Sequence, residues 1–121
     1  MIGVRYFNKG YAAAFEAPLN KSLNSARDLE GHGTHTLSTA GGNFVPHTSV
    51  LNIANGTASG GSPRARVAAY KVCWPATESA GGCYDADIMA AVDAAISDGV
   101  DVLSMSIGGA VALNFSGMGY Q

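Results

Sequence analysis

Residues 66–107 constrain this chain more than any other stretch. Arg66-Val67-Ala68-Ala69-Tyr70-Lys71-Val72 is a nearly continuous apolar run, the pattern of a strand covered on both faces of a sheet. Residues 85–98 then read as a helix. Asp85 is a good N-cap, and Asp87 in the first turn complements the helix dipole. Ile88, Val92, Ala95 and Ile96 recur at the helical period and form one apolar face, and Gly99 is placed to end the helix in a left-handed conformation. Val100 to Ile107 reads as a second buried strand, halted by Gly108-Gly109. Strand, helix, strand is a βαβ unit, whose strands run parallel with a right-handed crossover. The fold class is therefore α/β.

The rest of the chain is less regular. Residues 1–31 show no clear period. Residues 32–42 begin a helix after a glycine-bearing turn. Residues 43–66 read as loop, because Gly56, Gly60, Gly61 and Pro63 break any periodicity. No repeat or interdomain linker is visible.

Composition narrows the function classes. Hydrophobic residues are 47% and charged residues 13% of the 121, against roughly 25% charged in an average soluble domain. That excludes a disordered chain. Seven Lys and Arg against nine Asp and Glu exclude a basic nucleic-acid binder. No apolar run is long enough to span a membrane, and Met1 to Tyr6 lacks the apolar core of a signal peptide. The chain is either a compact domain or a piece of a larger one. Its charges are segregated: residues 1–71 carry +4, whereas Glu78, Asp85, Asp87, Asp93, Asp98 and Asp101 give the remainder −6. These acids solvate or cap one helix; they lack the loop clustering of a calcium site.

Cys73 and Cys83 admit two readings, a bridge closing a short loop or two independent buried thiols. Sequons at Asn20, Asn55 and Asn114 are consistent with secretion, as a disulfide would be. Asn55-Gly56-Thr57 also suits a turn that is never glycosylated.

The stretch from Arg27 to Gly41 carries the chemistry. His32 and His35 are three residues apart. A metal pair is one reading, but a zinc site needs three or four ligands and no such set is spaced for it. Two structural histidines is another. Gly31 and Gly33 flank His32 and leave one imidazole open at the mouth of a helix, as a general base requires.

The sequence Arg27-Asp28-Leu29-Glu30-Gly31-His32-Gly33-Thr34-His35-Thr36-Leu37-Ser38-Thr39-Ala40 resembles the histidine signature of the subtilisin-like serine proteases (subtilases, peptidase family S8), in its plant secreted form. Gly56 through Trp74, Ala86-Asp87-Ile88, Ser104 through Gly109, and Ile2 through Phe7 are similar to further blocks of that branch. The resemblance implies a fragment of the subtilisin-like three-layer fold with a mainly parallel sheet. Residues 1–121 are then a partial catalytic domain, with 110–121 a divergent tail.

By the same resemblance His32 is the general base, taking a proton from a serine hydroxyl and delivering it to the leaving amine. His35 supports the helix. Ser104, Met105, Ser106, Ile107 and Gly108 match the strand that pairs with an extended substrate peptide; Ser106 and Ile107 also read as plain strand core. The resemblance further implies a Cys73–Cys83 bridge and a secreted, extracellular location in the apoplast or cell wall, where the Asn55 sequon is a candidate glycan site. It implies no cofactor and no metal. The implied partners are protein or peptide substrates and the remainder of the protease chain, not nucleic acid or membrane.

Besides the divergent tail after Gly109, the sequence departs from the family in its triad motifs. Neither Asp-Thr-Gly nor Asp-Ser-Gly precedes His32, and no Gly-Thr-Ser-Met segment follows. Asp28 sits within the histidine block and is a poor substitute for the triad aspartate. The chain is thus expected to be inactive alone, and to aggregate or stay molten when isolated. The alternative is a non-catalytic truncated product that binds peptides or a protease partner.

Overall fold

The computed structural model describes residues 1–14, 24–75 and 82–108. In chain order these form β1 (Gly3–Tyr6), α1 (Lys9–Ala13), α2 (His32–Gly41), β2 (Val45–Val50), β3 (Ile53–Ala58), β4 (Ala68–Lys71), β5 (Cys73–Trp74), β6 (Gly82–Cys83) and α3 (Asp85–Ser97). Both helices and strands are present, as an α/β class requires.

The short parallel sheet is β1 against β4, with Gly3 opposite Ala68 and Tyr6 opposite Lys71. Backbone bonds from Ile2 N to Val67 O (2.8 Å) and from Phe7 N to Lys71 O (2.9 Å) extend it at both ends. The C-terminal end of α3 is tied to both strands by one carboxylate. Asp98 accepts from the Arg5 guanidinium at 2.7 Å and from the Tyr70 hydroxyl at 2.8 Å.

The core is an aromatic knot. Tyr11 (fully buried) stacks on Trp74 at 5.6 Å, and Tyr6 and Tyr84 meet this pair edge-on at 5.9 and 6.0 Å. The Trp74 indole donates to Phe7 O at 2.9 Å, so its polar edge is satisfied inside the cluster. Val72, Ala91 and Ala95 complete the buried apolar set among the described residues.

Four expectations from sequence need correction. First, Tyr84 and not Asp85 stands at the N-cap position of α3, with no side-chain cap. Of the expected face, Ala95 is buried and Ile88 and Val92 are half-buried, but Ile96 is exposed; the buried stripe runs through Asp87, Ala91 and Ala95. α1 packs against the N-terminal end of this helix, where Gly10 lies against Tyr84, Ala86 and Asp87. Second, Asp87 does not merely complement its own helix. It is buried, and its two carboxylate oxygens accept from the backbone of Gly10 (2.8 Å) and Tyr11 (2.9 Å), capping the start of α1.

Third, residues 43–66 are not all loop: β2 and β3 pair as an antiparallel hairpin. Its two-residue turn uses Leu51 and Asn52, both left-handed at φ 50° and 63°, the geometry that a tight hairpin demands and that glycine usually supplies. Fourth, residues 101–108 form no ladder among the described residues and are exposed throughout. Their backbone finds no neighbouring strand, so the apolar run that reads as a buried strand here carries Val102, Leu103, Met105 and Ile107 into solvent. Gly99 does end α3 left-handed, at φ 75°. Residues 109–121, including the divergent tail and Asn114, lie outside the described residues, as does Asn20.

Candidate active site

Helix α2 places its first residue, His32, at an exposed end. The helix sequence is polar, and several hydroxyls return to their own backbone. Thr36 donates to Gly33 O, and Ser38 and Thr39 both donate to His35 O. Little apolar surface holds this helix in place, so its ends must be fixed by other means.

The N-terminal end is fixed by Asp28. One carboxylate oxygen accepts from the backbone of Glu30 (3.1 Å) and Gly31 (2.9 Å). The other accepts from Thr34 N (2.8 Å) and the Thr34 hydroxyl (2.6 Å). Those donors, the Thr34 hydroxyl first, hold the Asp28 carboxyl well below the usual carboxylate range. Between Asp28 and the helix the chain turns through Gly31 at φ 86°, a left-handed conformation with high cost for any residue bearing a Cβ. Asp28 therefore serves helix capping, with its oxygens committed to the backbone and to Thr34.

The C-terminal end is fixed by the following loop. Gly60, Gly61 and Ser62 donate backbone N–H groups to the carbonyls of Gly42, Thr39 and Ala40 at 2.8 to 2.9 Å. These bonds fill the acceptors that a helix end leaves open. The approach is close enough that a Cβ on Gly60 would collide with the backbone of Ser38, Gly41 and Gly42.

His32 opens onto a cleft of about 640 Å³ with three walls. Glu30 and His32 form the first. The β5–β6 hairpin forms the second, through Trp74, Gly82 and the Cys73–Cys83 disulfide, whose cysteines sit directly opposite one another in the ladder. Met105, Ser106, Ile107 and Gly108 form the third. Ser104 faces a second hollow with His35, Thr36 and Thr39. Of the residues singled out in the sequence, His32, both cysteines and residues 105–108 thus meet around one cleft. Asn55 lies apart, exposed on β3.

Two contributors were missed by sequence reasoning. Asp28 is the first; an Asp three residues before a glycine at a helix start was the available signal. Lys71 is the second. Its ammonium lies 4.2 Å over the Trp74 ring and donates to Arg27 O at 2.7 Å and Ser25 O at 3.3 Å. Burial pushes the Lys71 amine below its ordinary value, opposed by the charges of Asp28 and Glu30. No sequence signal marks it, because it sits within the apolar run Arg66–Val72 and its partners are backbone carbonyls far away in the chain.

The sequence model of the Subtilase family matches residues 7–117. The chain belongs to the subtilase family. It is 66% identical over 109 residues to the subtilisin-like proteases SBT5.4 and SBT5.3 of Arabidopsis thaliana, matches that cover 90% of this chain and 14% of each relative. It is 61% identical over 108 residues to the subtilisin-like protease Glyma18g48580 of Glycine max, covering 89% of this chain and 13% of that protein. This subtilase chain therefore spans about one seventh of the length of the curated relatives it matches. Among the described residues no helix is long and apolar enough to cross a membrane.

Proposed function

We propose that this chain is the histidine-bearing part of the catalytic domain of a secreted serine endopeptidase that hydrolyses peptide bonds in proteins. His32 is its general base: the imidazole takes the proton of a serine hydroxyl as it attacks the scissile carbonyl, then returns it to the departing amine. The aspartate that orients the imidazole and the serine that attacks come from the remainder of the protease chain. One observation carries this reading. His32 stands at the exposed end of a helix that is clamped at both ends, in the same cleft as the segment Met105–Gly108, which joins no ladder among the described residues.

That segment offers backbone N–H and C=O groups to an extended peptide, which binds residues 104–108 by strand addition. The exposed row Val102, Leu103, Met105 and Ile107 supports a second part of the proposal. In the complete fold residues 100–107 join the parallel sheet beside β4, with α3 as the right-handed crossover. Alone, the chain is inactive. The Cys73–Cys83 bridge and the exposed sequon at Asn55 support an extracellular location, with a glycan at Asn55.

The test is His32→Ala in the full-length product of the gene. Peptide hydrolysis is expected to fall by about 10⁴-fold or more with thermal unfolding unchanged. Retained hydrolysis rules out His32 as the base.

A further inference from the structure

Lys71 is the last residue of β4, and its side chain reaches two walls of the cleft from behind. Towards the histidine side it donates to Arg27 O and Ser25 O, on the segment that leads directly into Asp28. Towards the disulfide side its ammonium rests on the Trp74 ring. Trp74 is itself fixed, 2% exposed and bonded to Phe7 O. Asp28 in turn holds the N–H groups of Glu30, Gly31 and Thr34 around His32. A continuous chain of contacts thus runs from the buried aromatic knot through Lys71, the Arg27 carbonyl and the Asp28 cap to the backbone on either side of His32.

We propose that Lys71 is a positioning residue that sets where His32 stands relative to the opposite wall of the cleft, acting through the Arg27 carbonyl and the Asp28 cap. This rests on the reading of His32 as general base. Lys71 suits the task chemically. An ammonium has several donors on one atom, so it satisfies two carbonyls while its charge faces the indole. A methionine of similar length would fill the space against Trp74 yet release both carbonyls. The Asp28 cap would then be anchored only by its own loop.

The experiment uses the full-length product of the gene and three Lys71 variants. Lys71→Met is expected to lower kcat by about tenfold with KM unchanged, since a displaced base slows the proton transfer and leaves peptide binding alone. Lys71→Arg, which keeps charge and donors, recovers most of that loss. In the same proteins, amide hydrogen exchange at Gly31 and Thr34 should accelerate by about tenfold in Lys71→Met while amides of α3 are unchanged. Adding Asp28→Ala to Lys71→Met should cost no more kcat than Asp28→Ala alone, because both cut the same linkage.

Unchanged exchange at Gly31 and Thr34, or additive losses in the double variant, overturns the proposal. If Lys71→Met does not fold, Lys71→Gln applies the same criteria with a smaller expected effect. Should His32→Ala retain hydrolysis, the general-base reading fails, but the exchange data still decide whether Lys71 secures the Asp28 cap.

Discussion

The two sides of the cleft are built in opposite ways. Helix α2 is mostly exposed and polar, yet both its ends are closed by hydrogen bonds from residues within this chain: Asp28 in front and Gly60 to Ser62 behind. Residues 101–108 are rich in large apolar side chains, yet among the described residues no backbone ladder holds them. Apolar content is thus no guide to which side is in place. A polar helix can be fixed locally because capping groups lie a few residues away. An apolar strand needs neighbours on both edges and both faces, and these come from distant chain. His32 is held by its own neighbourhood, whereas residues 101–108 join no ladder among the described residues.

The largest effect that tests this contrast concerns residues 101–108. Their amides should exchange freely in the isolated chain and be protected by about 10³-fold or more in the full-length product, measured by hydrogen exchange with mass spectrometry. Strong protection in the isolated chain would break the contrast. The isolated chain is also expected to aggregate, and a sharp cooperative unfolding transition in a soluble monomer would contradict that.

Next in size is Gly60→Ala in the full-length product. Its Cβ meets backbone at the end of α2, and backbone cannot step aside as a flexible side chain can. A loss of about 2–3 kcal/mol is expected by denaturant titration. Gly31→Ala should cost about 1–2 kcal/mol, from the left-handed backbone alone, since nothing crowds its Cβ.

Asp28→Ala is expected to cost about 1 kcal/mol, a typical price for a lost cap, with a pH dependence that identifies it. The folded-state carboxyl lies below its unfolded value of about 3.9, so the stabilisation is complete above that value. It is lost as pH falls through the depressed folded value. The gap between wild type and Asp28→Ala should therefore be flat at neutral pH and close below about pH 4. A gap that persists undiminished into strong acid would assign the effect to packing. Smallest of all is Arg5→Ala: the ion pair with Asp98 is largely solvent-exposed, and about 0.5 kcal/mol or less is expected.

The same contrast explains what could be read from sequence. Strand β4, helix α3 and the start of α2 were legible because period, capping residues and glycine punctuation are local signals. The buried stripe of α3 was not. Ile96 is more apolar than Ala91 yet is exposed, because which side of α3 is covered depends on α1 and β4, elements far from it in the chain. Asp87 misled for a related reason. Its dipole role is visible in its own helix, whereas the N–H groups it satisfies belong to Gly10 and Tyr11. In the site, His32 and residues 105–108 announce themselves through family motifs. Asp28 left only a local capping signal, an Asp three residues before Gly31, and Lys71 acts on backbone carbonyls of residues far from it in the chain, a role that no side-chain pattern records.

The arrangement around Trp74 also has an optical consequence. It is the single tryptophan of these 121 residues, buried under an ammonium and adjacent in sequence to a disulfide sulfur. An apolar setting shifts indole emission to the blue, and a neighbouring disulfide quenches it. Within this segment, then, a single chromophore gives separate colour and brightness readings: colour follows the integrity of the aromatic knot, and brightness follows the oxidation state of the wall that shares a cleft with His32.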